Sequence, residues 1–140
     1  MRNNQPVTGR EQTYSAGERL ISTTNLRGVI EDANETFVKV SGFSLDELRG
    51  QPHNMVRHPD MPESVYANFW ETLKSGRPWM GVIKNRCKNG DHYWVSAYVS
   101  PVYQDGEQVG FQSVRTQPSE QLKERAERAY SRLRSGKRAM

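Results

Sequence analysis

Apolar and polar positions change their spacing several times along this chain, and each change marks an element. Residues 1–18, "MRNNQPVTGREQTYSAGE", are polar and carry no period, so they predict a flexible N-terminal arm. "LISTT" (20–24) and "GVIED" (28–32) predict two short strands around the turn "NLRG". Helical spacing follows. Asn34 is placed to cap a helix carrying Phe37, Val38 and Val40 that Gly42 stops. In "SLDELRG", Ser44 and Glu47 have capping-box spacing and Gly50 supplies the stop. In "MPESVYANFWETLKSG", Val65, Tyr66, Phe69, Trp70 and Leu73 fall on one helical face behind Pro62.

After Gly76 the period drops to two. "WMGVIKNRCK" and "HYWVSAYVSPVY" predict strands joined at Asn89-Gly90, the preferred pair of a two-residue hairpin turn. Tyr93, Val95, Ala97 and Val99 share one face of the second strand, with Trp94, Ser96, Tyr98 and Ser100 on the other. "VGFQSVRTQ" closes a meander. From Ser119, "SEQLKERAERAYSRLRSG" predicts a helix with Leu122, Ala126, Ala129, Tyr130 and Leu133 along one stripe. The order is α+β, an antiparallel sheet with its helices grouped in the middle and a connector helix at the end.

Length allows one domain with a single core, and the division expected is arm 1–18, body 19–118 and connector 119–140. Residues 1–118 hold 13 Lys/Arg and 13 Asp/Glu, so the net charge of +4 lies entirely in residues 119–140. A basic tail is no sign of a nucleic-acid-binding body, and its acids at helical spacing make it a solvated helix face; no nucleic-acid partner is expected. No run approaches the roughly 18 apolar residues of a membrane span, so this segment is not expected to insert directly in a membrane. Without a signal-type apolar stretch, and with Cys87 as the single cysteine, a cytoplasmic location is expected.

Candidate chemistry concentrates in "HNMVRHPDMP", residues 53–62. His53, His58 and Asp60 match no metal-ligand spacing, and His92 and Cys87 stand far off in sequence, so no metal site is expected. Ser64, His58 and Asp60 lie close in sequence, which is poor support for a triad, and no nucleophile-elbow or phosphate-loop motif occurs. The loop reads either as a polar cap of the next helix or as a ligand clamp. Arg57 and His58 are donors suited to phosphate. Trp79 and Trp94 are candidates for stacking on a planar ring, or for covering the sheet; Trp70, on the helical stripe, reads as core. The Asn85 amide can donate and accept, or face solvent beside Lys84 and Arg86.

"ANETFVKVSGFSLDELRGQPHNMVRHPDMP", "PWMGVIKNRCKNGDHYWV" and "GFQSVRT" together resemble the sensory PAS domain of the bacterial aerotaxis receptor family. The resemblance covers roughly residues 19–118, and "GQPHNMVRHPDMP" is its most specific part. It implies a five-stranded antiparallel sheet with short helices over one face and a pocket between them. It further implies non-covalent FAD, redox or oxygen sensing in place of catalysis, and relay to a receptor signalling module of HAMP type, with a homodimer possible. The family's cofactor-linked loop residues fall on Arg57, His58 and Asp60, its polar positions near the flavin on Asn34 and Asn85, and an aromatic pocket position on Trp79. Cys87 does not sit where light-sensing flavin PAS domains carry their reactive cysteine, so no photoadduct is expected. The alternative is a PAS protein-interaction module holding no ligand or haem, for which His53, His58 or His92 would be the axial ligand.

Overall fold

The computed structural model describes residues 4–135; residues 1–3 of the expected arm and 136–140 of the expected connector lie outside it. The strands β1 (Leu20–Asn25), β2 (Ile30–Ala33), β3 (Trp79–Arg86), β4 (His92–Gln104) and β5 (Glu107–Thr116) form one antiparallel sheet, ordered β2-β1-β5-β4-β3. Between β2 and β3 come α1 (Glu35–Ser41), α2 (Leu45–Leu48), a 3-10 turn (His53–Val56) and α3 (Glu63–Lys74); α4 (Glu120–Arg134) follows β5.

The short helices exist because their ends are closed. Asn34 Oδ1 accepts from Phe37 N at 3.1 Å, and Gly42 ends α1 in the left-handed region at φ 78°. The Ser44–Glu47 capping box forms with both bonds in place, which lets a helix of four residues hold its position. Strand register puts Ser22, Asn85, Tyr93, Ala97, Ser113 and Arg115 on the helix-covered face, beside the apolar Leu20, Ile83, Val95, Val99 and Phe111. Leu20, Phe37, Leu48, Leu73 and Val95 are fully buried between the layers.

The β3–β4 turn differs from the two-residue expectation. Cys87 N donates to Asp91 O at 2.7 Å and Gly90 N to Cys87 O at 3.0 Å, with Gly90 at φ 97°, so the loop spans Lys88–Gly90. The reason is Asp91: its carboxylate accepts from Thr8, Gln12 and Asn89 side chains and pairs with Arg10, which fixes the turn from outside. Burdened with these donors, Asp91 is held down to a pKa of about 2, the Thr8 bond being the main cause.

Thr8, Arg10 and Gln12 belong to the N-terminal segment, which packs closely on the body. Glu11 bridges His92 in parallel on the side of β4 that β5, ending at Thr116, leaves free. Tyr14 is buried and donates its hydroxyl to Trp94 O at 2.7 Å. Asn4 Nδ2 reaches Asn54 O at 3.0 Å and Arg57 O at 2.7 Å. These bonds are made by polar side chains and by backbone, so no hydrophobic period announces them. At the other end, α4 runs beside β3: Tyr130 Oη donates to Val82 O, Arg134 to Asp60 O at 2.8 Å, and Lys123 to Glu11 at 2.8 Å. Within the expected stripe, Ala126 is buried and Tyr130 half-buried, while Leu122 and Leu133 stay exposed.

Candidate functional site

Between the sheet and the helices lies a cavity of about 340 Å³. That is near the lower end of the ~300–1,000 Å³ of ligand pockets, room for a ring system but not for a whole dinucleotide. The sheet contributes Ile83, Ala97, Val99 and Phe111, and α3 contributes Tyr66, Phe69 and Trp70. The rings of Phe69, Trp70 and Phe111 meet edge to face, with centroids 5.0 and 5.8 Å apart. Gly28, at φ 81°, is needed here twice over: any other residue would be strained, and its Cβ would stand 3.2 Å from the Trp70 ring.

Against these apolar walls stands one group of polar side chains. Arg115, on β5, is 3% exposed, and among the described residues no carboxylate pairs with it. Its guanidinium donates to Leu20 O at 3.2 Å, Ser22 Oγ at 2.5 Å and His53 Nε2 at 2.7 Å, and lies 4.6 Å over the Phe37 ring. Because Nε2 accepts from a cation, His53 must carry its proton on Nδ1. Burial first, then the Arg115 charge, hold the His53 pKa down to about 3, so the ring is neutral. Burial also lowers Arg115, to about 10, which leaves it charged at neutral pH.

The 3-10 turn brings Asn54 and Arg57 to the same cavity. Asn54 Oδ1 and Arg57 Nε are buried without a hydrogen-bond partner. The Arg57 guanidinium lies 3.6 Å over the Tyr66 ring, and its backbone bridges Asn85. Unsatisfied buried polar atoms cost about 1–3 kcal/mol each, so a cavity with one such acceptor, one such donor and a cation without a carboxylate suits a polar partner that both accepts and donates.

Of the six residues expected to contact a cofactor, Arg57 and Asn85 line the cavity. His58, Asp60, Asn34 and Trp79 do not. His58 is buried on the far side of the loop, its ring 6.0 Å from His92, and Asp60 N donates to its Nδ1 at 3.0 Å. Burial and then Lys84 bring the His58 pKa down to about 4. Asp60 pairs with Lys84 Nζ at 3.0 Å. Asn34 is committed to the α1 cap, to Ile21 N and to Arg19 O. Trp79 is buried with its indole donating to Asn68 Oδ1 at 3.0 Å, while Trp70, expected as core, faces the cavity. Trp94 lies on the opposite sheet face from Asn85, with Lys84 Nζ 5.8 Å from its ring.

His53 is the histidine that reaches the cavity, and its Nε2 is already engaged by Arg115 and Ser22. Cys87 is buried one residue past β3, donates to Val40 O at 3.3 Å, and is pushed up to about 12 by burial. No group of three metal-ligating side chains stands together among the described residues, and no helix there is long and apolar enough to cross a membrane. Arg115 is the cavity residue that sequence reasoning missed, and His53 was weighed there only as a metal or haem ligand. Alternation from Phe111 through Ser113 to Arg115 was the available signal, since it puts the arginine on the inward face.

Residues 30–115 match the family model described as the PAS fold. The chain is 48% identical over 131 residues to the aerotaxis receptor of Escherichia coli (strain K12), covering 94% of this chain and 26% of that one. It is 33% identical over 82 residues to the nitrogen fixation regulatory protein of Klebsiella pneumoniae, covering 59% and 17%. The chain thus spans about a quarter or less of these relatives. Among solved structures, a PAS domain from Colwellia psychrerythraea superimposes with a TM-score of 0.65 at 26% identity, covering 71% of this chain and 86% of that one. A light-oxygen-voltage domain studied with a flavin analogue superimposes at 0.66 with 19% identity, covering 86% and 87%, a likeness of fold alone.

Proposed function

This chain belongs to the PAS-fold family of sensory domains, and we propose that it senses redox state or oxygen by binding FAD non-covalently in the Arg115–His53 cavity. The observation that carries this reading is the fully buried, unpaired Arg115 on the wall of an aromatic cavity. An uncompensated buried charge is expensive, and an electron-rich ring that accepts hydrogen bonds would offset that cost. A bound flavin would supply reversible electron uptake. The chain's own residues do the rest: Phe69, Trp70 and Phe111 exclude water, Arg115 holds negative charge, and neutral His53 keeps the guanidinium in place. Arg57, half-buried, and Arg27, exposed, border the same cavity and are placed to take the phosphates that its volume leaves outside. His58 and Asp60 would then act on the cofactor indirectly, by anchoring the loop that carries Arg57.

The relay runs through that loop. Arg134 and Tyr130 tie α4 to Asp60 and to the edge strand β3, so a change in the 57–60 segment alters what α4 rests on. In this reading α4 passes the state to a downstream receptor signalling module of HAMP type, in the cytoplasm and, if part of a longer receptor, near its membrane anchor. No α4 residue lines the cavity. Deleting residues 119–140 is therefore expected to leave the flavin-to-protein ratio unchanged, while amide exchange in residues 57–61 and 80–84 speeds up several-fold. Absorbance and hydrogen-exchange mass spectrometry read both, and a colourless but folded truncation would show that α4 helps to build the site.

A further inference from the structure

Among the described residues the Tyr93 hydroxyl is the third buried side-chain polar atom without a well-aligned partner, and unlike the other two it belongs to a residue with no exposure at all. The groups that act on it electrostatically are Arg115, Cys87, Tyr14 and Asn85. Three of them are committed elsewhere: Arg115 to Leu20 O, Ser22 and His53, Cys87 to Val40 O, and Tyr14 to Trp94 O. Asn85 is directly opposite Tyr93 in the β3–β4 register, so the two side chains leave the sheet on the same face. A hydrogen-bonding contact from the Asn85 amide lowers the Tyr93 pKa against the upward push of burial, but the pair falls short of a well-aligned bond. The same amide borders the cavity.

We propose that Tyr93 is a positioning residue, the rear hydrogen-bond partner that lets Asn85 present either its NH2 or its carbonyl to the ligand. This rests on the flavin reading above. When Asn85 gives its NH2 to an acceptor in the cavity, its carbonyl turns back and accepts from the Tyr93 hydroxyl. When its carbonyl meets a donor in the cavity, its NH2 turns back and donates to the Tyr93 oxygen. A hydroxyl serves both arrangements because it donates and accepts, whereas a backbone group or a charged side chain would favour one of them. The pair is thus a two-position device inside the core, with the hydroxyl bond made only when the ligand orients the amide.

The test is Tyr93→Phe, made in the wild type and in an Asn85→Ala background, with three readouts. The melting temperature of the flavin-free domain should stay the same or rise, because the deleted hydroxyl makes no well-aligned bond there. The dissociation constant for added FAD should rise roughly two- to tenfold in the wild-type background, and hardly at all when Asn85 is already alanine. The midpoint potential of bound flavin should move in Tyr93→Phe and stay put in the Asn85→Ala background. A lower melting temperature, or loss of folding, would show that the hydroxyl is already partnered and overturn the proposal. Equal weakening in both backgrounds would do so as well, since Tyr93 would then not act through Asn85. A wild type that binds no FAD sinks the flavin reading and this inference together; FAD binding with an additive cycle sinks only the role of Tyr93.

Discussion

Arg115→Met should strip the flavin from the domain and leave the fold at least as stable as before. Arg115 is a buried cation held by three neutral acceptors, a carbonyl, a hydroxyl and an imidazole nitrogen, with no carboxylate beside it among the described residues. Its charge is therefore a cost to the empty fold, and methionine fills much the same volume without that cost. A ligand that uses the guanidinium loses a charge-assisted bond of about 1.5–3 kcal/mol, or roughly ten- to a hundredfold in affinity. Chemical denaturation of the flavin-free protein and FAD titration should thus move in opposite senses. A variant that unfolds while the remaining folded fraction stays yellow would assign Arg115 to structure and leave the cavity without its central group.

The flavin-free domain should also lose stability steeply on mild acidification. Both His53 and His58 are held neutral in the fold, to about pH 3 and pH 4, chiefly by burial. His92 is lowered too, again mainly by burial. In the unfolded chain such groups take up protons near pH 6.5. Between those limits the unfolded state binds protons that the folded state refuses, so folding weakens as pH falls. The stability is complete above about pH 6.5 and declines below it by about 1.4 kcal/mol per pH unit for each histidine that stays neutral. Asp60 and Asp91, whose pKa values are lowered, lose their contribution only below about pH 4, so the histidine slope is separable. Urea midpoints at pH 7.5, 6.5 and 5.5 read it, and His53→Gln should remove one histidine's share of the slope and leave that of His58. A midpoint independent of pH over that range would contradict the burial of neutral imidazoles.

What the sequence disclosed follows from which interactions are local. Caps, glycine stops and period changes act within a few residues, so α1, α2, α3 and the strands could be placed from Asn34, Ser44, Gly42 and the alternation around Tyr93. The packed N-terminal segment was hidden because it docks through Asp91, the β4 backbone and the 3-10 turn, partners 50–83 residues away with no apolar period to mark them. The loop 53–62 was visible as a cluster, but not its division into two sides. His53, Asn54 and Arg57 turn to the cavity, and His58 and Asp60 turn to the Lys84–Arg134 side. Tryptophan roles were exchanged for a similar reason: Trp70 and Trp79 both touch Phe69, and only the packing of α3 decides which ring faces inward. Arg115 went unassigned because the alternation that puts it on the inward face with Phe111 and Ser113 does not say that its charge is left without a carboxylate.

The most direct test of the account is the ultraviolet–visible spectrum of freshly purified protein, followed by chromatography of the heat-released cofactor against FAD and FMN standards. A yellow protein with a two-band flavin spectrum, bleached by anaerobic dithionite and restored by air, and releasing FAD close to one per chain, is the expected result. A folded protein that releases only FMN, shows a haem Soret band, or carries no flavin and takes up none from added FAD would contradict it.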